Sequence, residues 1–554
     1  MKFNDNYEWI SGWIHDYYCN KDGSELIFDL NNNEYFECPV CHFRYTDKKR
    51  KMAWIIKYRY KIFKLLEEYS KEYLENKSEE QLHFIEEALN YYSLNYNNFV
   101  IHNKNGEIFS SIINTDNRCG RITAQGLNEA MISIQIVNCI NNIGPYLDIK
   151  TKKNVFNLLF TQIYELLKPQ VNKIHNICCY EMCAIAMMGI ISDNKKMIDF
   201  AFTSPYSVYN QLNKGITKDC FWFEGSFHYH LFVLKPILEL LKLAKINNYN
   251  IPKKYYEIGK KMLIQIFKSS FNDCSLPSPN DGWPNKHLAD YIEVYVLGNE
   301  IFNGECSDII KSITTKTNKT GTIHFLDTGF SILKNEYWDI FIKYKDNNVN
   351  HAHPDKLNIE IKNGKDFLTH DLSTSGYGSD ISKNFYKKSY SHNTVVIDGK
   401  NQNLECETIV KSYNDNMVDI RINNVYDNTN ISRKIFLLSN KIIDEIKVDS
   451  CNSKNIDYFF HCDADLISKL VFKDIESLKE YPYLKNVKEI SINNDNIILE
   501  WNLNNKVIIS KINVKNKQLF ICDSPDNPNI KDRITLIIRN NNEEKVSFKI
   551  EWNC

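Results

Sequence analysis

The chain has too few cysteines, too little net charge and too short hydrophobic runs to belong to several large classes of protein. Its 16 Cys among 554 residues fall well short of a disulfide-stabilised scaffold. Its 68 Lys and Arg balance 69 Asp and Glu, so the basic excess that drives binding to nucleic acid is absent. No apolar stretch approaches the roughly 20 residues that span a bilayer. These absences predict a folded, soluble protein with neither a nucleic-acid nor a membrane partner.

The first residues also lack the apolar core of a secretory signal peptide, because Asp5 and Glu8 interrupt it. Together with the modest cysteine content, this predicts a cytoplasmic, bacterial-type protein whose cysteines are mostly reduced and buried. A periplasmic or secreted location is the alternative if a leader is missing from the sequence. A chain of 554 residues exceeds one ordinary hydrophobic core, so two or more domains are expected.

The hydrophobic periodicity changes once, near residue 315. Before this point apolar residues recur every three or four positions, which predicts helices at 52–75, 153–167, 183–191 and 230–246. After it they alternate, which predicts strands at 338–344, 357–364, 393–400, 418–425, 496–503, 534–540 and 546–553. Runs of helices followed by runs of strands favour an α+β multidomain chain. We expect a helical domain at 51–317 and an antiparallel β domain at 318–554.

Residues 1–50 form a third, small segment that contains cysteine pairs. Cys38 and Cys41 make a CxxC motif, and Cys19 precedes them. Such a motif is half of a zinc-ribbon site, and a complete ligand set would need a further side chain. The candidates for that position are Asp22, His15 and His42. A structural metal and reduced cysteines without a metal are equally compatible with the sequence.

The densest set of chemically active side chains lies early in the β half. His351 and His353 are two residues apart, so in an extended strand both imidazoles would point to one face. Asp371 and His392 lie near the ends of later strand patterns. Histidine and carboxylate groups of this kind suit zinc or manganese. The alternative is that these are polar residues at the edges of turns.

The helical half supplies further candidates. His175 and Asn176 begin an otherwise apolar helix, where the helix dipole and the side-chain amide suit a carboxylate ligand. Asn176 is alternatively a simple N-cap. Tyr229 lies near the start of another helix, after Glu224 and Gly225, where tyrosine is more often a packing residue.

Several motifs together resemble the heparinase II/III-like polysaccharide lyases. The motifs in the β half are HAHPDKL, DLSTSGYG and SHNTVVIDGK, and those in the helical half are GRITAQGLNEA, HNICCYEMCAIAMMG and FEGSFHYH. The resemblance covers most of the chain from about residue 50 onward. It implies an N-terminal incomplete (α/α) toroid and a C-terminal antiparallel β-sandwich, with an acidic polysaccharide or oligosaccharide held in the cleft between them.

The resemblance also implies roles for individual residues. Asn176 would neutralise a uronate carboxylate, Tyr229 would transfer protons and His351 would take a second acid/base role. Zinc, with manganese as the alternative, would be a structural metal of the β domain. Its implied ligands are His353, Asp371 and His392. The residues implied to line the sugar site are Gln125, Asn128, His175, Glu224 and Tyr377, with Tyr386 as the alternative to Tyr377.

The implied reaction is β-elimination at a uronic acid, which leaves an unsaturated uronate. Neutralising the carboxylate stabilises the enolate-like transition state, while a base removes the C5 proton and an acid protonates the departing 4-oxygen. Glycosaminoglycans such as heparan sulfate, hyaluronan and chondroitin are expected ahead of alginate. A glycan-binding protein without catalysis is one alternative. A glycoside hydrolase is another, and it would need two carboxylates, for which Glu181, Glu224 and Asp219 are the nearby acids.

Overall fold

The structure is a computed structural model that describes residues 3–112, 118–347, 350–377, 379–450, 455–541 and 543–554. The chain divides into two compact units. The helical unit comprises Met1–Ile216, Phe232–Lys261 and Leu297–Gly304. The strand unit comprises Thr217–Leu231, Met262–Val296 and Glu305–Cys554. The first fifty residues thus belong to the helical unit, and parts of the helical half belong to the strand unit. The division of the chain into separately folding domains at residues 50 and 317 stays a prediction.

The described residues include twelve α-helices. Three of the four helices predicted from periodicity lie within them, and the fourth, predicted at 153–167, is interrupted by a π-helical turn at Val155–Leu159. Side chains at several N-caps accept hydrogen bonds from the first turn, as Asp47 does before the helix that begins at Lys48 and Ser78 before the helix that begins at Glu79. The helices are α1 Lys48–Asn76, α2 Glu79–Asn95, α3 Gly126–Ile143, α4 Ile149–Asn154, α5 Phe160–Leu167, α6 Asn176–Ser192, α7 Lys195–Thr203, α8 Val208–Gly215, α9 Phe227–Ile246, α10 Lys253–Lys268, α11 Ile292–Ile301 and α12 Ser307–Thr314. No described helix has both the length and the apolar character needed to cross a membrane.

Five short strands belong to the helical unit. These are β1 Phe36–Glu37, β2 Arg44–Tyr45, β3 Ile101–Asn103, β4 Ile108–Phe109 and β5 Cys119–Gly120. The strands of the strand unit follow α12. They are β6 Ile323–Phe325, β7 Phe330–Lys334, β8 Trp338–Lys343, β9 Ile359–Asn363, β10 Asp366–Thr369, β11 Val395–Ile397, β12 Glu407–Asn414, β13 Met417–Tyr426, β14 Thr429–Leu437, β15 Lys441–Ser450, β16 Asn455–Cys462, β17 Asp465–Leu466, β18 Phe472–Asp474, β19 Lys485–Ile490, β20 Asn496–Leu503, β21 Lys506–Asn513, β22 Gln518–Pro525, β23 Asp532–Asn541 and β24 Lys545–Asn553.

The strand unit contains three antiparallel sheets. Their strand orders are β12-β13-β14-β15-β24-β21-β20-β17, β11-β16-β23-β22-β19-β18 and β10-β9-β8-β7-β6. Along β13, β14 and β15 buried residues alternate with more exposed ones, so one face of the eight-stranded sheet packs inward. Apolar side chains from all three sheets meet in one core, which includes Ile340, Ile435 and Leu536. The alternating pattern predicted this antiparallel β domain, and its arrangement as a β-sandwich is the one that the resemblance implies.

The five-stranded sheet has a second covered face, since every residue of β7, β8 and β9 is buried. Phe221 and Phe227 provide part of that cover. Their rings lie 5.1 and 5.3 Å from the ring of Phe330 on β7. This aromatic contact fixes the start of α9 against the sheet, and α9 carries Tyr229 two residues later.

Candidate active site

The first turn of α9 is held by its polar residues. The Ser226 hydroxyl donates to the carbonyl of Asp281 at 2.6 Å and accepts from the backbone N–H of Tyr229 at 3.3 Å. His230 is fully buried, and its Nδ1 accepts from the backbone N–H of Trp222 at 3.1 Å. These bonds join the start of α9 to the loop that contains Asp281. The FEGSFHYH motif therefore positions Tyr229.

The loop at residues 275–287 brings a carboxylate into this region. Asn280, with a left-handed φ of 65°, donates from its side-chain amide to the carbonyl of Gly225 at 3.3 Å. Its own carbonyl accepts from the Ser373 hydroxyl at 2.7 Å. The backbone N–H of Asp281 donates to the carbonyl of His351 at 3.0 Å. Asn280 and Asp281 thereby tie together three segments that are far apart in sequence.

The Asp281 carboxylate is the centre of the site. Its Oδ2 accepts from the Tyr377 hydroxyl at 2.9 Å and lies 3.0 Å from Nδ1 of His351. Its Oδ1 lies 3.0 Å from Nε2 of His353 and 2.6 Å from Nζ of Lys387. Burial alone would raise the pKa of Asp281, but the two histidines and Lys387 hold it well below its usual range. We call these five residues the Asp281 cluster.

An ionised carboxylate can only accept hydrogen bonds, so it assigns the protons of both imidazoles. His351 donates from Nδ1, and in its neutral form it keeps a lone pair on Nε2. His353 donates from Nε2 and keeps a lone pair on Nδ1. One aspartate thus leaves the lone pair on a different ring nitrogen in each of the two histidines.

Tyr229 joins the Asp281 cluster through Tyr377. The two hydroxyl oxygens are 2.8 Å apart, and because Tyr377 donates its single proton to Asp281, Tyr229 donates to Tyr377. The ring of Tyr229 stacks on the imidazole of His351, with centroids 3.8 Å apart and planes inclined by 24°. Burial raises the pKa of Tyr229 above its ordinary value, and the charges of Asp281 and Glu224 add to this. Tyr229 is therefore a neutral phenol at physiological pH.

Glu224 lies near the Nε2 edge of the His351 imidazole. The carboxylate Oε2 of this buried residue is 3.8 Å from Nε2 of His351. At that distance the two side chains make no direct hydrogen bond. The site holds a phenol and an imidazole in contact, which is a pair suited to general acid and base chemistry.

A metal-ligand set adjoins this cluster. His353, Asp371 and His392 are buried, and they offer ligand atoms within 4.8 Å of one another. Nδ1 of His392 is 2.8 Å from Oδ2 of Asp371. Nδ1 of His353 and Nε2 of His392 are buried without a hydrogen-bond partner among the described residues. Two unpartnered imidazole nitrogens beside a carboxylate fit a zinc ion, because a bound ion would satisfy both.

The segment that contains His351 and His353 is a loop and not the strand expected from its alternation. Strand β9 begins only at Ile359. Pro354 has no N–H for a sheet, and Leu357 has a left-handed φ of 65°. The two imidazoles still converge, because both reach Asp281. Asp371 does follow a strand, β10, and His392 precedes β11, as the pattern indicated.

The helical unit contains the other candidate residues. Asn176 is the buried first residue of α6, and the N-cap is His175, whose Nδ1 accepts from the backbone N–H of Ile177 at 3.2 Å. The alternative that Asn176 is merely the N-cap is therefore wrong. Gln125 is the N-cap of α3 without a side-chain cap bond, and Asn128 on α3 is buried with its amide nitrogen unpartnered among the described residues.

Several candidates have structural partners. Tyr386 donates to the carbonyl of Asp526 at 2.7 Å, whereas Tyr377 lies in the Asp281 cluster. The Asp219 carboxylate accepts from the backbone N–H groups of Asp327 and Thr328 at 2.7 and 2.8 Å. Glu181 is buried on α6 and lies 3.3 Å from Arg118. In this buried site, desolvation raises the pKa of Glu181 to about 7.

The sequence reasoning missed Asp281, Lys387 and Asn280. The signal for the loop was the run SLPSPNDGWPN, where prolines, a glycine and an Asn-Asp pair interrupt a helical region. Such a run reads as a surface loop, and only its contacts reveal that Asp281 is buried. Lys387 has no pattern that separates it from the other lysines.

Comparison with known proteins identifies the family. The family model described as Heparinase II/III N-terminus matches residues 155–302, and that described as Heparinase II/III-like, C-terminal matches residues 317–435. The chain belongs to this heparinase II/III-like family, as the motifs indicated. No curated protein sequence matches the chain.

Solved structures share the fold at low sequence identity. Heparinase III has a TM-score of 0.64 at 16% identity, over 92% of this chain and 78% of that one. Heparan sulfate lyase from Pedobacter heparinus has 0.61 at 14%, over 99% and 86%. Chondroitin AC lyase from Streptomyces coelicolor A3, in complex with chondroitin sulphate, has 0.51 at 6%, over 90% and 74%. These likenesses confirm the predicted fold class, a helical toroid followed by a β-sandwich.

Proposed function

We propose that this protein is a polysaccharide lyase that cleaves uronic-acid-containing glycans by β-elimination. The observation that carries the proposal is the stacked pair of Tyr229 and His351, with Tyr377 and Asp281 fixing the protons of both. Membership of the heparinase II/III-like family and the fold shared with glycosaminoglycan lyases support it.

The two proton transfers fall to different groups. Tyr229 is held as a neutral phenol, so it is suited to protonate the departing 4-oxygen. His351 keeps its Nε2 lone pair because Asp281 takes the proton of Nδ1, so it is suited to remove the C5 proton. Glu224 then stabilises the imidazolium that forms. Two separate groups suit substrates in which the proton and the leaving oxygen lie on opposite faces of the ring, as in iduronate, provided that the stacked rings of Tyr229 and His351 part so that the sugar lies between them.

The same groups also allow a one-residue route. Where the proton and the leaving oxygen lie on one face, as in glucuronate, a single tyrosine can serve as base and then as acid. Tyr229 would need its proton withdrawn first, and its hydrogen bond to Tyr377, which in turn donates to Asp281, is the contact through which that proton would leave. We therefore propose acid/base groups for both types of uronate.

Asn176 is proposed to neutralise the uronate carboxylate, with His175 beside it. Its place as first residue of α6 combines a side-chain amide with the positive end of the helix dipole. Gln125 and Asn128 are proposed to bind sugar hydroxyls, and the unpartnered amide of Asn128 fits such a role. Neutralising the charge of the uronate carboxylate lowers the free energy of the enolate-like transition state.

The metal of the strand unit is proposed to be structural. His353, Asp371 and His392 would hold a zinc ion, with manganese as the alternative. A bound ion would supply positive charge and rigidity to the loops around the site. His353 also bonds to Asp281, so its orientation and that of His351 are set together.

The proposed substrates are glycosaminoglycans ahead of alginate. The test is a panel of heparan sulfate, hyaluronan, chondroitin and alginate polymers and oligosaccharides, read by ultraviolet absorbance and mass. We expect an unsaturated uronate product that Tyr229→Phe and His351→Ala reduce by at least a hundredfold. The control is Tyr386→Phe, because this hydroxyl bonds to the Asp526 carbonyl away from the Asp281 cluster.

Other outcomes would refute the proposal. Products heavier by one water would identify a hydrolase, because elimination adds no water. If the wild-type protein binds glycans of the panel but forms no product from any of them, it is a glycan-binding protein. The compartment predicted from the sequence stays a prediction.

A further inference from the structure

A second set of metal-ligating side chains lies in the first fifty residues, in the helical unit. Cys19, Asp22, Cys38 and Cys41 offer ligand atoms that all lie within 4.8 Å of one another. Three of them are buried and Cys41 is exposed. None of them takes part in the proposed lyase chemistry. His42, a possible ligand on the sequence, is instead 3.5 Å from Glu37.

The four residues are presented by two turns of the same design. Each turn has ligands three residues apart, Cys19 with Asp22 and Cys38 with Cys41. In the first turn the N–H of Gly23 donates to the carbonyl of Cys19 at 3.0 Å, and Gly23 has a φ of 76°. In the second, the N–H of His42 donates to the carbonyl of Cys38 at 3.1 Å, and His42 has a φ of 57°. This pairing is typical of zinc ribbons, in which two short turns hold one ion.

Backbone groups are already arranged around the sulfur atoms. The N–H groups of Val40 and Cys41 each donate to Sγ of Cys38 at 3.4 Å. The N–H of Lys21 donates to Sγ of Cys19 at 3.4 Å. Such donors stabilise thiolates, which are the form of cysteine that binds metals. Both turns are therefore preorganised for charged sulfur.

The spacing of the ligand atoms fits a tetrahedral ion. Bonds of about 2.3 Å to sulfur and 2.0 Å to oxygen place two sulfurs about 3.8 Å apart and sulfur and oxygen about 3.5 Å apart. The sulfurs of Cys19 and Cys41 are 3.5 Å apart. Oδ2 of Asp22 is 3.4 Å from Sγ of Cys19 and 3.3 Å from Sγ of Cys38. These three separations are close to those around one tetrahedral ion, and all four ligand atoms lie within 4.8 Å of one another.

We propose that Cys19, Asp22, Cys38 and Cys41 bind a structural zinc ion. Three thiolates and one carboxylate are soft enough to select zinc over calcium or magnesium, and four protein ligands leave no open position for catalysis. A disulfide would need a sulfur separation of about 2.05 Å. The proposal is independent of the lyase activity, since the ligands belong to neither the Asp281 cluster nor the His353 set.

The ion would fasten the N-terminal segment to the start of α1. The Tyr45 hydroxyl at the end of β2 lies 3.3 Å from Sγ of Cys19 and accepts from the N–H of Asn20 at 2.9 Å. Arg50 in the first turn of α1 donates to the side chain of Asn20 and lies over the ring of Tyr45 at 4.7 Å. Loss of the ion would therefore loosen the first turn of α1 as well as the two loops.

The test is the metal content and thermal stability of the full chain, purified under reducing conditions with zinc supplied. We expect Cys41→Ser, and more completely Cys38→Ser with Cys41→Ser, to contain about one zinc ion fewer per chain and to unfold at a lower temperature. The matched control is Cys554→Ser, which changes another exposed cysteine. His353→Ala with His392→Ala should leave the N-terminal ion in place.

A cobalt-substituted chain gives a second readout that does not depend on stability. Three thiolate ligands should give a strong near-ultraviolet charge-transfer band, which Cys41→Ser weakens and the His353 and His392 substitutions leave unchanged. Equal zinc content in the Cys41 variant and the wild type would overturn the proposal. A disulfide between Cys19 and Cys41 in the freshly purified chain, or a cobalt spectrum without thiolate bands, would overturn it too.

Discussion

Asp281 is the residue on which the arrangement of the site depends most directly. Its two carboxylate oxygens contact two histidines with different proposed roles, and a hydroxyl and an ammonium group complete its coordination. Removing its charge leaves both imidazoles free to change tautomer or to rotate. Asp281 is a positioning residue in this view, because it acts through His351 and His353.

We therefore expect Asp281→Asn to lower kcat about 10- to 100-fold with little change in KM. The amide has one acceptor oxygen where the carboxylate has two, and its NH2 group is a donor, so His351 loses its fixed tautomer. Initial rates on the best substrate of the panel measure this, with the melting temperature recorded for each variant. Asp523→Asn, whose carboxylate bonds to the exposed Asn486, is the control. A variant with wild-type kcat would show that the hydrogen bonds of Asp281 do not position His351.

At the scale of neighbouring elements, a buried ion pair between two strands supports the loop that contains His392. Arg433 on β14 and Asp444 on β15 form two hydrogen bonds, of 2.8 and 2.6 Å, and both side chains are buried. Arg433 also donates to the carbonyl of Asn393 at 2.6 Å, next to His392. The pair thus links the large sheet to a segment that holds a proposed metal ligand.

Asp444→Asn should destabilise the protein by about 3–5 kcal/mol, because it leaves a buried guanidinium without its counter-charge. Denaturant unfolding measures the change. Asp532→Asn removes one partner of the more exposed pair with Lys485 and should cost only about 0–1 kcal/mol. Equal effects of the two substitutions would contradict the distinction between buried and exposed pairs.

Some of the 68 basic and 69 acidic residues of the whole molecule have buried side chains. Asp339 on β8 is one of them, and desolvation raises its pKa to about 7 despite the hydrogen bond from Asn272. Its ordinary pKa is 3.8, so between about pH 4 and 7 the folded state binds more protons than the unfolded state. The free energy of unfolding contributed by this group therefore decreases as the pH rises through that range.

Asp339→Asn should remove this contribution, since asparagine does not titrate. We expect the free energy of unfolding of the variant to fall less steeply between pH 4 and 7 than that of the wild type, by a few kcal/mol over the range. Denaturant melts at several pH values provide the measurement, with Asp532→Asn again as the exposed control. Parallel curves for Asp339→Asn and the wild type would refute the assignment.

The sequence alone determined the order of helices and strands, because local periodicity reports which face of each element is buried. It also gave Tyr229, His351 and the His353, Asp371 and His392 set as candidates, through motifs that resemble those of the heparinase II/III-like family, and their roles stay predictions. Tertiary structure decided the rest. Asp281 and Tyr377 are 96 residues apart, and their contact leaves no local pattern.

The same reason explains where the sequence reading was wrong or incomplete. The alternation of His351 and His353 predicted a strand, but contacts with Asp281 and the proline at 354 hold that segment as a loop. The CxxC motif left a metal and free thiols equally open, and the meeting of Cys19 and Asp22 with that motif favours the metal. Periodicity reports which side of a single element is buried. Proton positions and ligand sets depend on distances between elements, and these distances are fixed only when the chain folds.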